Sequence, residues 1–311
     1  MQRHYRYLFG GSIVINAESV KARLKNHAKV NGHMLQDELT MYGLERTIYR
    51  ISISPYAKKF TLKGGIFLYA LFDGEFARAT TDIDLLAGNT GNDVETMKKI
   101  FIEILQISAN DALRYDLETL EVINITEFKE YHGVKVTVKA YLDKTRIDIS
   151  LDIGFGDIVY PNRVEMEFPV LLDMEVPKIY AYTLDSVIAE KFEAIVQLGY
   201  GNSRYKDFYD IYILAVSYNF EGSILKQAVQ ETFTQRNTGY NDIVAFEPEF
   251  AKDGVRQSRW KAFVKKKKAM VNVEFQEVLE LLQIFLNPIV NAIVKGEAFD
   301  LDWDSQTRCW K

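Results

Sequence analysis

Asp82 and Asp84 stand two residues apart in Asp82-Ile-Asp-Leu-Leu, and earlier in the chain Lys63-Gly64-Gly65 interrupts an apolar stretch. If 82–86 is a strand, both carboxylates project from one face, with Ile83 and Leu85 on the other. Carboxylates held side by side suit a hard divalent cation such as Mg2+. The glycine pair lets the backbone approach a ligand closely, and a helix starting there offers unpaired N–H groups to an anion. A phosphate-sized anion beside a divalent cation is therefore the chemistry these residue types allow. Asp-x-Asp at a strand end is also a common polar edge, and Gly-Gly a common turn, so the pair needs support from elsewhere.

Three further groups bear on that chemistry. In 146–153, Ile147, Ile149, Leu151 and Ile153 face one way and Asp148, Ser150 and Asp152 the other. If this strand lies beside 82–86, a third carboxylate completes a two-metal site; a half-exposed strand with polar residues outward is the simpler alternative. Lys191 falls inside the apolar stripe Leu184, Val187, Ile188, Ile195 and Leu198 of a helix following Thr183. A lysine there is costly unless its stem snorkels outward or its charge is used, as it would be against a polyphosphate. Arg204, Lys206, Asp207 and Asp210 form a charged cluster whose spacing also fits ordinary helical salt bridges, Arg204–Asp207 and Lys206–Asp210.

The elements that must position these groups follow from periodicity. The pattern predicts a strand over 60–62, the Gly-Gly turn, an apolar helix, a turn, and the strand carrying Asp82 and Asp84. Helices are expected over 18–29 and 34–50 as packing material, the second ended by Ser54-Pro55. After a loop at 88–93 come a helix over 95–108 and strands over 115–125, 135–142 and 146–153. Pro161, Pro169 and Pro177 mark a slow crossing out of the sheet region, with a soft boundary near Leu172. Beyond it lie a helix over 223–234, an irregular stretch to Gly254, and a final helix over 274–295 that Pro288 is expected to kink. The lysine run 265–268, beside Trp260 and Phe263, is surface charge or a contact to RNA phosphates.

Composition narrows the class. The chain has 311 residues, 48% hydrophobic and 26% charged, with a net charge of −5, which disfavours non-specific coating of nucleic acid. Cys309 is the only cysteine, so no internal disulfide forms and a reducing, cytoplasmic setting is expected. The four histidines lack zinc-site spacing. Arg3, His4 and Arg6 before a short apolar run faintly resemble a leader, but Gly-Gly-Ser breaks the run. No stretch approaches the roughly 18 apolar residues of a membrane span.

The ordered set Leu44-Glu-Arg-Thr-Ile-Tyr-Arg, Ser54-Pro-Tyr, Leu62-Lys-Gly-Gly, Arg78-Ala-Thr-Thr-Asp-Ile-Asp-Leu-Leu, Asp152-Ile-Gly-Phe-Gly-Asp, Ala189-Glu-Lys-Phe and Arg204-Tyr-Lys-Asp-Phe-Tyr-Asp resembles the AbiEii/AbiGii toxin family of nucleotidyltransferases. These are the toxin half of type IV toxin–antitoxin and abortive-infection (phage defence) systems. The resemblance covers about 42–263. It implies an α/β (α+β) fold: an N-terminal helical segment (1–59), a small mixed-sheet nucleotidyltransferase core (60–172) and a helical C-terminal domain (173–311). It implies catalytic metal, Mg2+ or Mn2+, on Asp82, Asp84 and Asp152, with Asp148 the fallback for the third position. Lys191 and Asp207 are implied as catalytic. Lys63, Gly64, Gly65, Arg78, Lys191, Arg204, Lys206 and Asp210 are implied around the NTP. The implied reaction moves a nucleoside monophosphate from an NTP to the 3′ end of tRNA and stops translation, restrained by an antitoxin encoded nearby. A protein or small-molecule acceptor, or a catalytically silent scaffold binding RNA or a partner, are the alternatives. One departure stands out: Ile66 occupies a position where the wider superfamily usually has Ser or Thr.

Overall fold

The strand with the clearest alternation, Ile147, Ile149, Leu151 and Ile153, lies inside a seven-stranded sheet, with all four side chains in the core. The architecture comes from a computed structural model that describes residues 15–74, 80–127, 131–267 and 271–311. Arg78, the leader-like N-terminal residues and Lys268 at the end of the lysine run lie outside the described residues.

In chain order the first half comprises α1 (Ala17–Asn31), α2 (Leu35–Ile53), β1 (Phe60–Lys63), α3 (Gly64–Leu71), β2 (Ile83–Ala87) and α4 (Val94–Leu105). It continues with the long strands β3 (Leu113–Glu127), β4 (Tyr131–Leu142) and β5 (Thr145–Phe155), then the short strands β6 (Val164–Glu167) and β7 (Lys178–Ala181). Helices dominate the rest: α5 (Leu184–Leu198), α6 (Tyr205–Ser217), β8 (Phe220–Glu221), α7 (Gly222–Gln235), α8 (Pro248–Lys252), α9 (Gly254–Lys267), α10 (Phe275–Lys295), β9 (Asp302–Asp304) and β10 (Cys309–Trp310). The sheet order is β3-β4-β5-β2-β1-β7-β6, mixed in direction: β2 runs parallel to β5 and antiparallel to β1.

Helix α2 presses on the sheet where glycine permits it: a Cβ on Gly43 would sit 2.7 Å from Ile149 Cδ1 and 2.8 Å from Ile147 Cγ2. The charges embedded in α2 are buried too. Arg50 forks onto Asp111 at 2.6 and 3.1 Å, and Arg46 pairs with Glu45 at 2.8 Å. Buried ions are tolerated only when paired in this way, so the packing helix is pinned by polar contacts as well as apolar ones.

The differences from expectation lie where local signals are short. β6 and β7 have four residues each and sit among prolines; β7 pairs in parallel with β1, so the sheet takes a strand from beyond residue 172. The division of the chain at that position is thus a proposal about folding units and not a break in the sheet. The stretch expected to be irregular contains α8, opened by Pro248 at its first turn. A second sheet, β10-β9-β8, closes on the helices through Trp303, whose indole N–H donates to Ala215 O at 2.7 Å. Pro288 lies within α10 without ending it. Contrary to the sequence expectation, α10 is long and apolar enough to cross a membrane, with a mean hydropathy of 1.5. Val278, Leu282, Phe285 and Ile289 on it are buried in the core, and a core helix passes the same test.

Candidate active site

Strand register builds the site. Lys63 is the Cα partner of Asp84 on the antiparallel β1–β2 pair, and Asp84 is the Cα partner of Asp152 on the parallel β2–β5 pair. Asp82 precedes β2 by one residue and points to the same side. One carboxylate oxygen from each of Asp82, Asp84 and Asp152 lies within 4.8 Å of the others. Asp148 does not join them: it is exposed, pairs with Arg146 at 3.2 Å, and sits on β5 ahead of the paired stretch that begins at Ile83 and Leu151. Three oxygen donors converging from two adjacent strands are a donor set for a hard divalent ion.

The glycine pair serves this cluster directly. Gly64 has φ +67, and a Cβ there would fall 1.9 Å from Asp84 Oδ2. Gly65, in the first turn of α3, donates its N–H to the same oxygen at 3.3 Å. Burial, then the neighbouring charge of Asp82, pushes the Asp84 carboxyl up to about 6. An anionic oxygen destabilised in this way is relieved by a cation, so the residues present fit a divalent metal.

The cluster opens into a cavity of about 260 Å³ whose other walls come from α5, α6 and the end of α7. Lys191 Nζ contacts Asp210 Oδ2 at 2.7 Å and Asp207 Oδ1 at 3.2 Å, and Arg204 Nε donates to Asp207 Oδ2 at 2.7 Å. Asp207 and Asp210 are fully buried. Burial pushes the Asp207 carboxyl up, but Lys191 and Arg204 outweigh it and hold the group below its usual range. From β1, Lys63 Nζ reaches Asp157 and Glu190, each at 2.7 Å. Arg236, just past α7, donates to Asp157 at 2.9 Å and to Glu190 and Glu193 at 2.8 Å.

The sequence matches the AbiEii nucleotidyl transferase toxin family, type IV toxin–antitoxin system, over residues 46–281. The chain belongs to this family. As an AbiEii-family protein it is a nucleotidyltransferase toxin, with an NTP as donor and a cognate antitoxin as partner. Two solved structures from Helicobacter pylori are similar at 16% identity: JHP933, with a TM-score of 0.43 over 88% of this chain and 94% of its own, and a candidate nucleotidyltransferase, 0.42 over 89% and 99%. No curated protein matches the chain significantly.

In this AbiEii-family chain, the expected site residues Lys63, Gly64, Gly65, Asp82, Asp84, Asp152, Lys191, Arg204, Lys206 and Asp207 all line the one cavity. Asp210 does not; it lies behind Lys191 as its buried counter-ion. The Lys206–Asp210 salt bridge suggested by spacing is therefore not formed. Lys206 is exposed at the cavity, without an ion pair among the described residues. Lys191, implied around the NTP, lines the cavity with its ammonium held by two buried carboxylates. Ile66 is fully buried in the core, so its side chain faces away from the cavity.

Local pattern in the sequence does not single out Asp157, Glu190, Glu193, Arg236 or Lys135, whose ammonium lies 2.8 Å from Asp152 Oδ1. Asp157 and Glu190 do fall inside the family-like motifs Asp152-Ile-Gly-Phe-Gly-Asp and Ala189-Glu-Lys-Phe, and that adjacency is a usable signal. Arg236 has none: it stands at a helix end far along the chain from its partners.

Proposed function

We propose that this protein binds Mg2+ or Mn2+ on Asp82, Asp84 and Asp152 and transfers a nucleoside monophosphate from an NTP to a hydroxyl, that of the tRNA 3′ end being the first candidate. The observation that carries this reading is the convergence of three carboxylates within 4.8 Å at a cavity wall. Bound metal would supply charge neutralisation at the α-phosphate and the leaving pyrophosphate.

The chain's own groups divide the remaining work. Asp82 and Asp84 orient the metal-binding face, with Asp84 fixed by the Gly65 N–H. Lys206 meets the donor's phosphates as an exposed cation, and the backbone around Gly64 and Gly65 adds N–H donors. The acceptor hydroxyl attacks the α-phosphorus, the bond to pyrophosphate breaks, and Asp152 or solvent takes the hydroxyl proton. Arg204 and Lys191 keep Asp207 ionised on the facing wall, where Asp207 helps position the nucleotide. Modification of tRNA in the cytoplasm would stop translation until the antitoxin intervenes.

The test is incubation of the protein with total tRNA, divalent metal and each α-32P-labelled NTP in turn, beside Asp82→Ala. Label on tRNA with wild type alone is expected, and it names the base. Label on protein or small alcohols, with none on tRNA, would replace the acceptor. No transfer from any NTP to any of these would overturn the proposal.

A further inference from the structure

At one level of the sheet four consecutive strands carry Lys63, Asp84, Asp152 and Lys135, each the Cα partner of the next. The two lysines flank the two carboxylates but behave differently. Lys63 swings out of the row to Asp157 and Glu190. Lys135 stays in it: its ammonium lies 2.8 Å from Asp152 Oδ1, the carboxylate that also belongs to the convergent triad. The lysine is about one-third exposed and sits on β4.

We propose that Lys135 is a built-in counter-cation of the metal-binding triad. By offsetting one of the three carboxylate charges, it limits the metal a nucleotide-free site can hold. The cluster then takes one divalent ion, and a second enters only when the donor's phosphates bring further negative charge. Lys135 thereby couples full metal loading to the presence of the NTP. The inference rests on the proposed metal-binding role of Asp82, Asp84 and Asp152, and it makes Lys135 a positioning residue, acting through Asp152 and not on the reacting atoms.

The test is Mn2+ titration of the full-length protein without nucleotide, following free Mn2+ by electron paramagnetic resonance, for wild type, Lys135→Gln, Lys135→Arg and Asp82→Ala. A unit charge paired with a ligating carboxylate would weaken binding of a divalent ion there by about tenfold even under water's screening. Lys135→Gln should therefore bind Mn2+ about tenfold more tightly and approach two ions per chain, while Lys135→Arg stays near wild type with one. Addition of a non-hydrolysable NTP should bring wild type to two ions. Equal affinity and stoichiometry in wild type and Lys135→Gln would overturn the role of Lys135 alone. Weaker binding by Lys135→Gln would also overturn it, since the lysine would then be holding Asp152 in shape for the ion. Absence of Mn2+ binding by wild type, or binding unaffected by Asp82→Ala, would overturn the metal site itself and this inference with it.

Discussion

Replacing Gly64 with alanine puts a methyl group where the Asp84 carboxylate lies. The added Cβ would sit 1.9 Å from Oδ2, 2.5 Å from Cγ and 2.7 Å from the Asp84 Cβ. Carbon and oxygen need about 3.3 Å, so Asp84 must move by more than about 1 Å or the β1–α3 junction must open. The backbone also resists: φ is +67, where a residue with a Cβ costs about 1–2 kcal/mol. With the clash added, a total of about 2–4 kcal/mol is expected, a fall in Tm of roughly 3–6 °C for a chain of this size. A displacement of about 1 Å at a reacting centre costs about a hundredfold in rate. Gly64→Ala should therefore lose two orders of magnitude in nucleotidyl transfer and most of its Mn2+ affinity. The double variant Gly64→Ala/Asp84→Ala separates the two effects. Removal of the carboxylate relieves the clashes with Oδ2 and Cγ but leaves the one with the Asp84 Cβ, so the pair should recover about 1 kcal/mol relative to Gly64→Ala, a non-additivity typical of touching residues, while transfer stays lost. Full activity and unchanged Mn2+ binding in Gly64→Ala would refute the placement of Asp84 in the metal site. Additive stability losses would refute the contact.

Transfer should fall as pH drops through about 6, where Asp84 takes up a proton in competition with metal, and extra metal should push that limb to lower pH; a limb indifferent to metal concentration contradicts this. In the metal-free protein the same group acts on stability with the opposite slope. Its folded pKa lies above the ordinary carboxylate value, so the folded state holds the proton longer, and the stability this gives is lost as pH rises from about 4 through 6. Removing metal should accordingly lower Tm more at pH 7.5 than at pH 5, as calorimetry would register. Lys191→Met removes the ammonium that faces the fully buried Asp207 and Asp210, leaving Arg204 on Asp207, and should cost about 3–5 kcal/mol; an unchanged melting curve with lost activity would instead assign Lys191 to the chemistry alone. Gly43→Ala should overpack Ile147 and Ile149 by about 1–3 kcal/mol, less about 1 kcal/mol of helix propensity, and leave Mn2+ affinity untouched.

Much of this organisation is legible in the sequence because it is local. The Asp-x-Asp period, the alternation around Asp152 and the Gly-Gly junction each need only neighbouring residues, and together they locate the cavity. What local pattern does not carry is partner choice. Lys206 and Asp210 have good helical spacing, but Asp210 turns inward to Lys191 on a different helix, because a buried carboxylate gains more from a buried ammonium than from a solvated one. Glu45, Arg46 and Arg50 look like surface charges on an amphipathic helix, yet Arg50 meets Asp111 from the loop before β3. The short strands β6 to β10 are similarly invisible, since their existence depends on edges supplied by distant segments.

The same partner choice bears on how a triphosphate is held. Lys63, Lys191, Arg204 and Arg236 line the cavity, and each already faces one or more carboxylates. Their charge is largely offset by Asp157, Glu190, Glu193, Asp207 and Asp210, so the wall is close to neutral despite its many cations. With Ile66 turned into the core, position 66 adds no hydroxyl to compensate. Among the described residues, attraction for a polyphosphate would then come from Lys206, from backbone N–H groups at the start of α3, and above all from any metal held by the acidic triad. A site arranged this way is expected to bind nucleotide poorly without metal. A donor analogue should accordingly depend steeply on divalent ion for its affinity, and adding salt should erode mainly the Lys206 contribution, because exposed charges are screened more than buried ones.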